Sequence, residues 1–144
     1  MQKSPVLVLL ILLTFFVISF ISNIMGPIIP DLIQSFELNL TLVSLLPFSF
    51  FIAYGVTSIP AGILLETYRE KKVMLVAFGM ATIGSLLMVL SPNYLSALLS
   101  LFLIGSGMAM LQVVINPLLR TAGGEEKYAH YSVLAQLIFG FASF

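Results

Sequence analysis

The chain has 144 residues, of which 60% are apolar or aromatic and only 8% charged, with six Lys/Arg balanced by six Asp/Glu, and its mean hydropathy is +1.13. A soluble domain carries roughly a quarter charged residues, so this composition excludes a cytosolic enzyme, a nucleic-acid binder and a disordered chain, and points to a membrane protein. The absence of cysteine removes disulfides, thiolate metal sites and thiol catalysis, and a net charge of zero leaves no long-range field to steer a macromolecular partner.

The charged residues divide the chain into uncharged runs: Ser4 to Pro30, Leu38 to Leu65, Val73 to Leu119 and Tyr128 to Phe144. A bilayer core needs about 20 apolar residues in a helix. The first run predicts helix 1 over about 5–30. Lys3 precedes it as in a secretory signal, but the run is far longer than a signal's apolar core and shows no small-residue cleavage pattern. The second run predicts helix 2 over about 40–65. The third is long enough for two spans, and Ser91-Pro92-Asn93 is a turn signal that divides it into helix 3 (about 73–90) and helix 4 (about 94–121). Helix 5 is expected over about 127–144. It reaches Phe144 with no polar flank or stop signal, so the chain is expected to continue into further helices, and a 144-residue product on its own is expected to be unstable.

The basic residues orient these spans. Lys3, then Arg69, Lys71 and Lys72 between helices 2 and 3, then Arg120 and Lys127 between helices 4 and 5, fall on one side, while the other side holds Asp31 and Glu37. The positive-inside rule therefore predicts a multi-pass protein of the cell (inner) membrane with its N-terminus cytoplasmic.

Small and polar residues recur at helical spacing, which in a membrane marks the protein-facing side. Helix 1 has Ser19, Ser22, Asn23 and Gly26; helix 2 has Ser44, Pro47, Tyr54, Gly55, Ser58 and Gly62; helix 4 has Gly105, Ala109, Gln112 and Asn116; helix 5 has Ser132, Gln136, Gly140 and Ser143. Glycines and serines here read as close helix packing. The amides are more demanding, because lipid satisfies none of their donors and acceptors. At 1.5 Å of rise per residue, Gln112 and Gln136 each lie roughly 15 Å from the cytoplasmic face, and Asn23 roughly 12 Å below the outer face. Asn116 shares the face of Gln112, one turn nearer the cytoplasm. These amides can converge near mid-membrane on a polar neutral solute such as a sugar, or else bond one another between helices. Pro27 and Pro117 free the carbonyls of Asn23 and Val113, which predicts irregular backbone beside the amides, as a cavity lining or as a plain kink.

In the cytoplasmic turns, Arg120 at the end of helix 4, Gly123-Gly124 and Glu125-Glu126 all suit the helix dipoles. Glu66 at the end of helix 2 and Lys71-Lys72 at the start of helix 3 do not. Glu66 therefore calls for a basic partner, as a gating latch would supply.

Gly62-Ile63-Leu64-Leu65-Glu66 followed by Arg69, Lys71 and Lys72 is similar to the loop motif of the major facilitator superfamily, with Thr67 where a basic residue is usual and Arg69 where a glycine is. Gln112-Val113-Val114-Ile115-Asn116-Pro117, Gly123-Gly124, Leu134-Ala135-Gln136 and Ile59-Pro60-Ala61-Gly62-Ile63 together resemble the fucose/galactose/glucose:proton symporters of that superfamily, over about Thr14 to Phe139. The resemblance implies an all-α integral membrane fold: the N-terminal part of a twelve-helix carrier of two six-helix halves, each an inverted pair of three-helix repeats. It also implies that Asn23, Gln112 and Gln136 face the cavity, contacting sugar or governing coupling. Where proton-coupled members carry acids, this chain has Gly26 and Gln112, and no Asp or Glu lies inside a predicted span, which counts against proton coupling through these positions.

The resulting expectation is a sugar carrier working by alternating access, secondary-active or facilitative. Asn23, Gln112, Asn116 and Gln136 would bind substrate, and Glu66, Arg69, Lys71 and Lys72 would form the gating loop. Its partners would be a small-molecule sugar, the lipid bilayer and further C-terminal helices, with no cofactor, metal or nucleic acid. The competing reading is a small four-span oligomer, exporter or scaffold; an exporter of that kind needs a membrane carboxylate that these spans lack. A Ser106/His130 catalytic pair fails on depth, since the two lie roughly 15 to 20 Å apart along the membrane normal and a nucleophile must be within hydrogen-bond reach of its base.

Overall fold

The computed structural model describes residues 5–142, without the side chain of Met25. Lys3, counted above for orientation, and Ser143, counted on the polar face of helix 5, lie outside the described residues. The described chain is all-α, with five helices: α1 (Pro5–Phe36), α2 (Leu40–Thr67), α3 (Glu70–Leu90), α4 (Tyr94–Gly123) and α5 (Glu125–Phe141). Pro5–Ile24, Leu40–Thr67, Glu70–Leu90 and Tyr94–Gly123 are long and apolar enough to cross a membrane. The connections run from one to three residues, and the short one between α2 and α3 makes that contacting pair antiparallel neighbours.

Local chemistry sets the helix ends. Asn39 caps α2, its Oδ1 accepting the Leu42 N–H at 2.9 Å, and Asn93 does the same for α4, its Oδ1 accepting the Ser96 N–H at 2.9 Å. Most boundaries fall within about two residues of expectation, and two differ by more at a chemically distinct place. Helix α1 continues through Pro27 and Pro30 to Phe36 before Glu37 turns left-handed at φ 50°. Each proline removes one donor and frees one carbonyl, here those of the exposed residues Asn23 and Gly26, and the remaining ladder holds the helix together, so it need not stop. Helix α3 starts at Glu70, because a helix persists into the headgroup region where its first-turn charges are solvated.

By compactness the chain forms two units, one comprising the chain up to Ile24 together with Gln112 onward, the other Met25–Leu111. In the second unit, α4 lies against α2 and α3 by way of glycine. A Cβ on Gly105 would meet the Phe50 carbonyl of α2; one on Gly107 would come within 2.6 Å of the Ala77 carbonyl of α3, and one on Gly84 within 2.9 Å of the Ser100 carbonyl of α4. Polar bonds close the same seams: Thr57 Oγ1 donates to Ser106 Oγ at 3.0 Å, Ser49 Oγ to the Leu98 carbonyl at 2.9 Å, and the Tyr94 hydroxyl to the Leu42 carbonyl at 2.9 Å. Small residues that let backbones approach, with hydroxyls bonding across, are the ordinary means of helix association in lipid.

The packed face of α2 is Leu46, Phe50, Ala53 and Ala61, with Thr57 between them. The Ser44, Gly55 and Gly62 stripe is not that face: a Cβ on Gly55 or Gly62 meets nothing within 4 Å. Gly105→Ala is expected to destabilise the fold by about 1 to 3 kcal/mol, because a backbone carbonyl must move. Gly79→Ala, with open space around it, is expected to shift stability by less than about 0.5 kcal/mol. Thermal unfolding of the detergent-solubilised protein separates the two.

Candidate polar site of the first unit

All four candidate substrate-binding residues, Asn23, Gln112, Asn116 and Gln136, fall in the unit formed by the chain up to Ile24 and from Gln112 onward. Its α1 segment buries Val8, Ile11, Leu12, Phe15, Ile18 and Ser19, a stripe at intervals of three and four that turns one face inward. Ser19 is fully buried and its hydroxyl donates to the Phe139 carbonyl of α5 at 2.5 Å. Asn23, one turn along α1, donates from Nδ2 to the Ser19 carbonyl at 2.9 Å and to Ser19 Oγ at 3.3 Å. A relay thus runs from Asn23 through Ser19 to α5. With the amide nitrogen turned back, Asn23 presents its Oδ1 outward as an acceptor.

Helices α4 and α5 meet at a tight turn. Gly124 has φ 81° and ψ 148°, a backbone conformation essentially confined to glycine. A Cβ on buried Gly123 would stand 2.5 Å from the Tyr131 ring. Arg120 bridges to Glu125 across the turn at 2.5 Å with both side chains exposed. Gln112 lies eleven residues before the end of α4 and Gln136 eleven residues after the start of α5, so each is about 16 Å along its helix from the shared turn. Helix α4, at 30 residues, is about 45 Å long, which places Gln112 about 5 Å from its midpoint.

The amides differ in what they bond. Asn116 Nδ2 donates to the Gln112 carbonyl at 3.3 Å and so engages its own helix. Among the described residues the side chains of Gln112 and Gln136 make no hydrogen bond; Gln112 is half-buried and Gln136 exposed. Gln136 lines an open groove of about 680 Å³ with Ser132, Val133, Leu137, Gly140 and Phe141, and one turn away the buried Ser132 Oγ also has no partner. The groove is apolar, with the Gln136 amide exposed in it and the Ser132 hydroxyl shielded.

The residues of the expected gating loop lie in the other unit, around the α2–α3 turn. Glu66 is in the last turn of α2, Arg69 is the N-cap of α3, and Lys71 and Lys72 are in its first turn. Among the described residues none of them is ion-paired, the one salt bridge being Arg120 to Glu125, and the Lys72 ammonium sits 5.7 Å from the centre of the Tyr68 ring. Ser106 is engaged by Thr57 and His130 stacks edge-on against Tyr131. The Ser19–Phe139 clasp and the Ser132 hydroxyl carry no motif signal; only their place on a small-residue stripe hinted at them.

The sequence profile of the Major Facilitator Superfamily matches residues 11–144. The chain is 35% identical over 127 residues to a glucose/galactose transporter of Brucella abortus, which covers 86% of this chain and 31% of that protein. It is 28% identical over 133 residues to the L-fucose-proton symporter of Escherichia coli, covering 90% of this chain and 30% of that one. The chain thus spans about a third of the length of these relatives. No solved structure matches it significantly.

Proposed function

This chain belongs to the Major Facilitator Superfamily, and on that premise we propose that it forms the N-terminal part of a sugar carrier working by alternating access. The observation that carries the reading is the pair Gln112 and Gln136: two amides at matched distance from the α4–α5 turn, deep in apolar helices and, among the described residues, without side-chain hydrogen bonds. An unpaired amide at that depth is costly, and a ligand rich in hydroxyls satisfies both its donor and its acceptor. Asn23 Oδ1 adds an acceptor from α1, and Asn116 supports the backbone of Gln112. The names of the relatives, a glucose/galactose transporter and a fucose symporter, supply the hexose as substrate class, and they favour the carrier over a small oligomeric protein.

The carrier is secondary-active or facilitative. Within the four candidate spans the only carboxylates, Glu66 and Glu70, stand at helix ends, so the side chains that touch sugar here take up no proton. The exposed Glu66, with Arg69, Lys71 and Lys72, serves as the gate at the α2–α3 turn, Glu66 taking a basic partner when that gate closes. The distribution of Lys and Arg sets this turn and the N-terminus on the cytoplasmic side of the inner membrane.

The test is uptake. The whole natural protein, reconstituted into liposomes, is expected to exchange labelled glucose, galactose or fucose saturably, with competition among them. Failure to bind or exchange any of the three would overturn the reading.

A further inference from the structure

At the α2–α3 turn a groove of about 270 Å³ is lined by Leu64, Tyr68, Lys72, Val73, Val76 and Met110. Its floor, Val73 and Met110, is buried, while Leu64, Tyr68 and Val76 are 37%, 48% and 52% exposed, so the groove opens sideways from the helices. Helix α3 has 21 residues, about 31 Å of rise, close to the thickness of a bilayer core, which puts its first turn at the membrane interface.

The charges around this groove are segregated. At 100° per residue, Lys72, Val73 and Val76 share one face of α3, with Glu70 about 160° from Lys72, and neither Glu66 nor Glu70 lines the groove. The groove mouth is therefore cationic although acids stand two residues away on both helices. Among the described residues Lys72 makes no ion pair; its neighbour is the Tyr68 ring. The N-cap Arg69 offers no side-chain acceptor to α3, and although its carbonyl takes the Lys72 N–H, the N–H groups of Glu70 and Lys71 at the helix start also favour an anion.

We propose that this groove holds one anionic phospholipid, its phosphate on Lys72 with Arg69 beside it and one acyl chain along Leu64, Val73, Val76 and Met110. An open apolar slot beneath a cation that has no ion pair among the described residues matches such a molecule in both halves, and basic sites between helices are known seats of acidic headgroups. The occupant is identified by net charge: a zwitterionic lipid carries the same phosphate but also a cationic headgroup, which the Lys72 and Arg69 charges disfavour, and an apolar protein helix fills the slot without needing Lys72. The inference does not depend on the carrier reading.

Native mass spectrometry of the delipidated whole protein, titrated with phosphatidylglycerol, phosphatidylethanolamine or phosphatidylcholine of the same chains, tests it. One phosphatidylglycerol is expected to bind in preference to the others. Lys72→Gln is expected to weaken it about fivefold, Lys72→Arg to retain it, and Val76→Trp, which fills the exposed slot, to weaken it while the protein stays folded. Lys127→Gln, at the other basic turn, is expected to leave it unchanged. Equal binding of the three lipids, displacement by inorganic phosphate alone, or equal losses in Lys72→Gln and Lys127→Gln would overturn the proposal.

Discussion

Replacing Gln136 by leucine is expected to cut sugar affinity and uptake by about 10- to 100-fold while leaving the melting temperature of the sugar-free protein unchanged or raised. The two halves of this expectation come from the same physics. A hydroxyl ligand that loses a hydrogen-bonding partner inside a dry site forfeits about 1 to 3 kcal/mol, which is the predicted loss in affinity. In the sugar-free protein the Gln136 amide bonds nothing among the described residues and stands exposed on the face of α5 that lines the groove. Leucine there removes an unsatisfied polar group from an apolar surface. Function and stability then move in opposite directions, as they do when a residue is kept for binding. Val133→Ala, in the same groove and 62% exposed, removes only methyl groups and is expected to change uptake less than about twofold. If Gln136→Leu instead lowers the melting temperature and leaves the sugar response intact, the amide bonds another helix and is no part of the site. Sugar-induced thermal shifts and liposome uptake on the same preparations distinguish the two outcomes.

The parts of this architecture legible in the sequence are those where lipid imposes a strict rule. A helix crossing a bilayer must satisfy its own backbone and tolerates few charges, so the uncharged runs marked the spans, and Ser91-Pro92-Asn93 marked the break that Asn93 then caps. The rule weakens at the interface. The extension of α1 to Phe36 depends on the hydrogen-bond ladder that remains around Pro27 and Pro30, and the start of α3 at Glu70 depends on solvated headgroups; neither is written in hydropathy. Packing was legible in part. Gly105-Ser106-Gly107 does sit where helices touch, but the small-residue stripe of α2 is not its packed face within this chain, because glycine and serine mark close approach without naming the partner. Individual bonds were least legible. Ser19 was one serine among several, and its acceptor, the Phe139 carbonyl, carries no side-chain signature. The same holds for the candidate site: residue type singled out Gln112, Asn116 and Gln136 alike, and only the structure shows that the Asn116 amide bonds its own helix while the other two make no side-chain hydrogen bond among the described residues.

Gly124→Val is expected to cost about 1 to 3 kcal/mol through backbone strain alone and to abolish sugar uptake even where folded protein is recovered. The residue lies at φ 81° and ψ 148°, where a β-branched side chain collides with its own backbone. Gly123 is buried against the Tyr131 ring, which stands 2.5 Å from where a Cβ would be, so its backbone has little room to take up the strain. The remaining relief is to unwind the first turn of α5 or to extend the end of α4, and either change alters the count of residues between the turn and the two amides. Each residue of slip moves Gln136 about 1.5 Å along its axis and about 100° around it, which carries it off the groove and takes the Phe139 carbonyl away from Ser19. Matched depth is therefore a property of the glycine pair, and the turn acts on the site from about 16 Å away. Glu125→Gln is the control, since it removes only an exposed ion pair with Arg120, which contributes little at a surface. Uptake near the unsubstituted level in Glu125→Gln and its loss in Gly124→Val, at equal amounts of folded protein, is the expected result; normal uptake in Gly124→Val would show that the amides do not depend on this turn for their register.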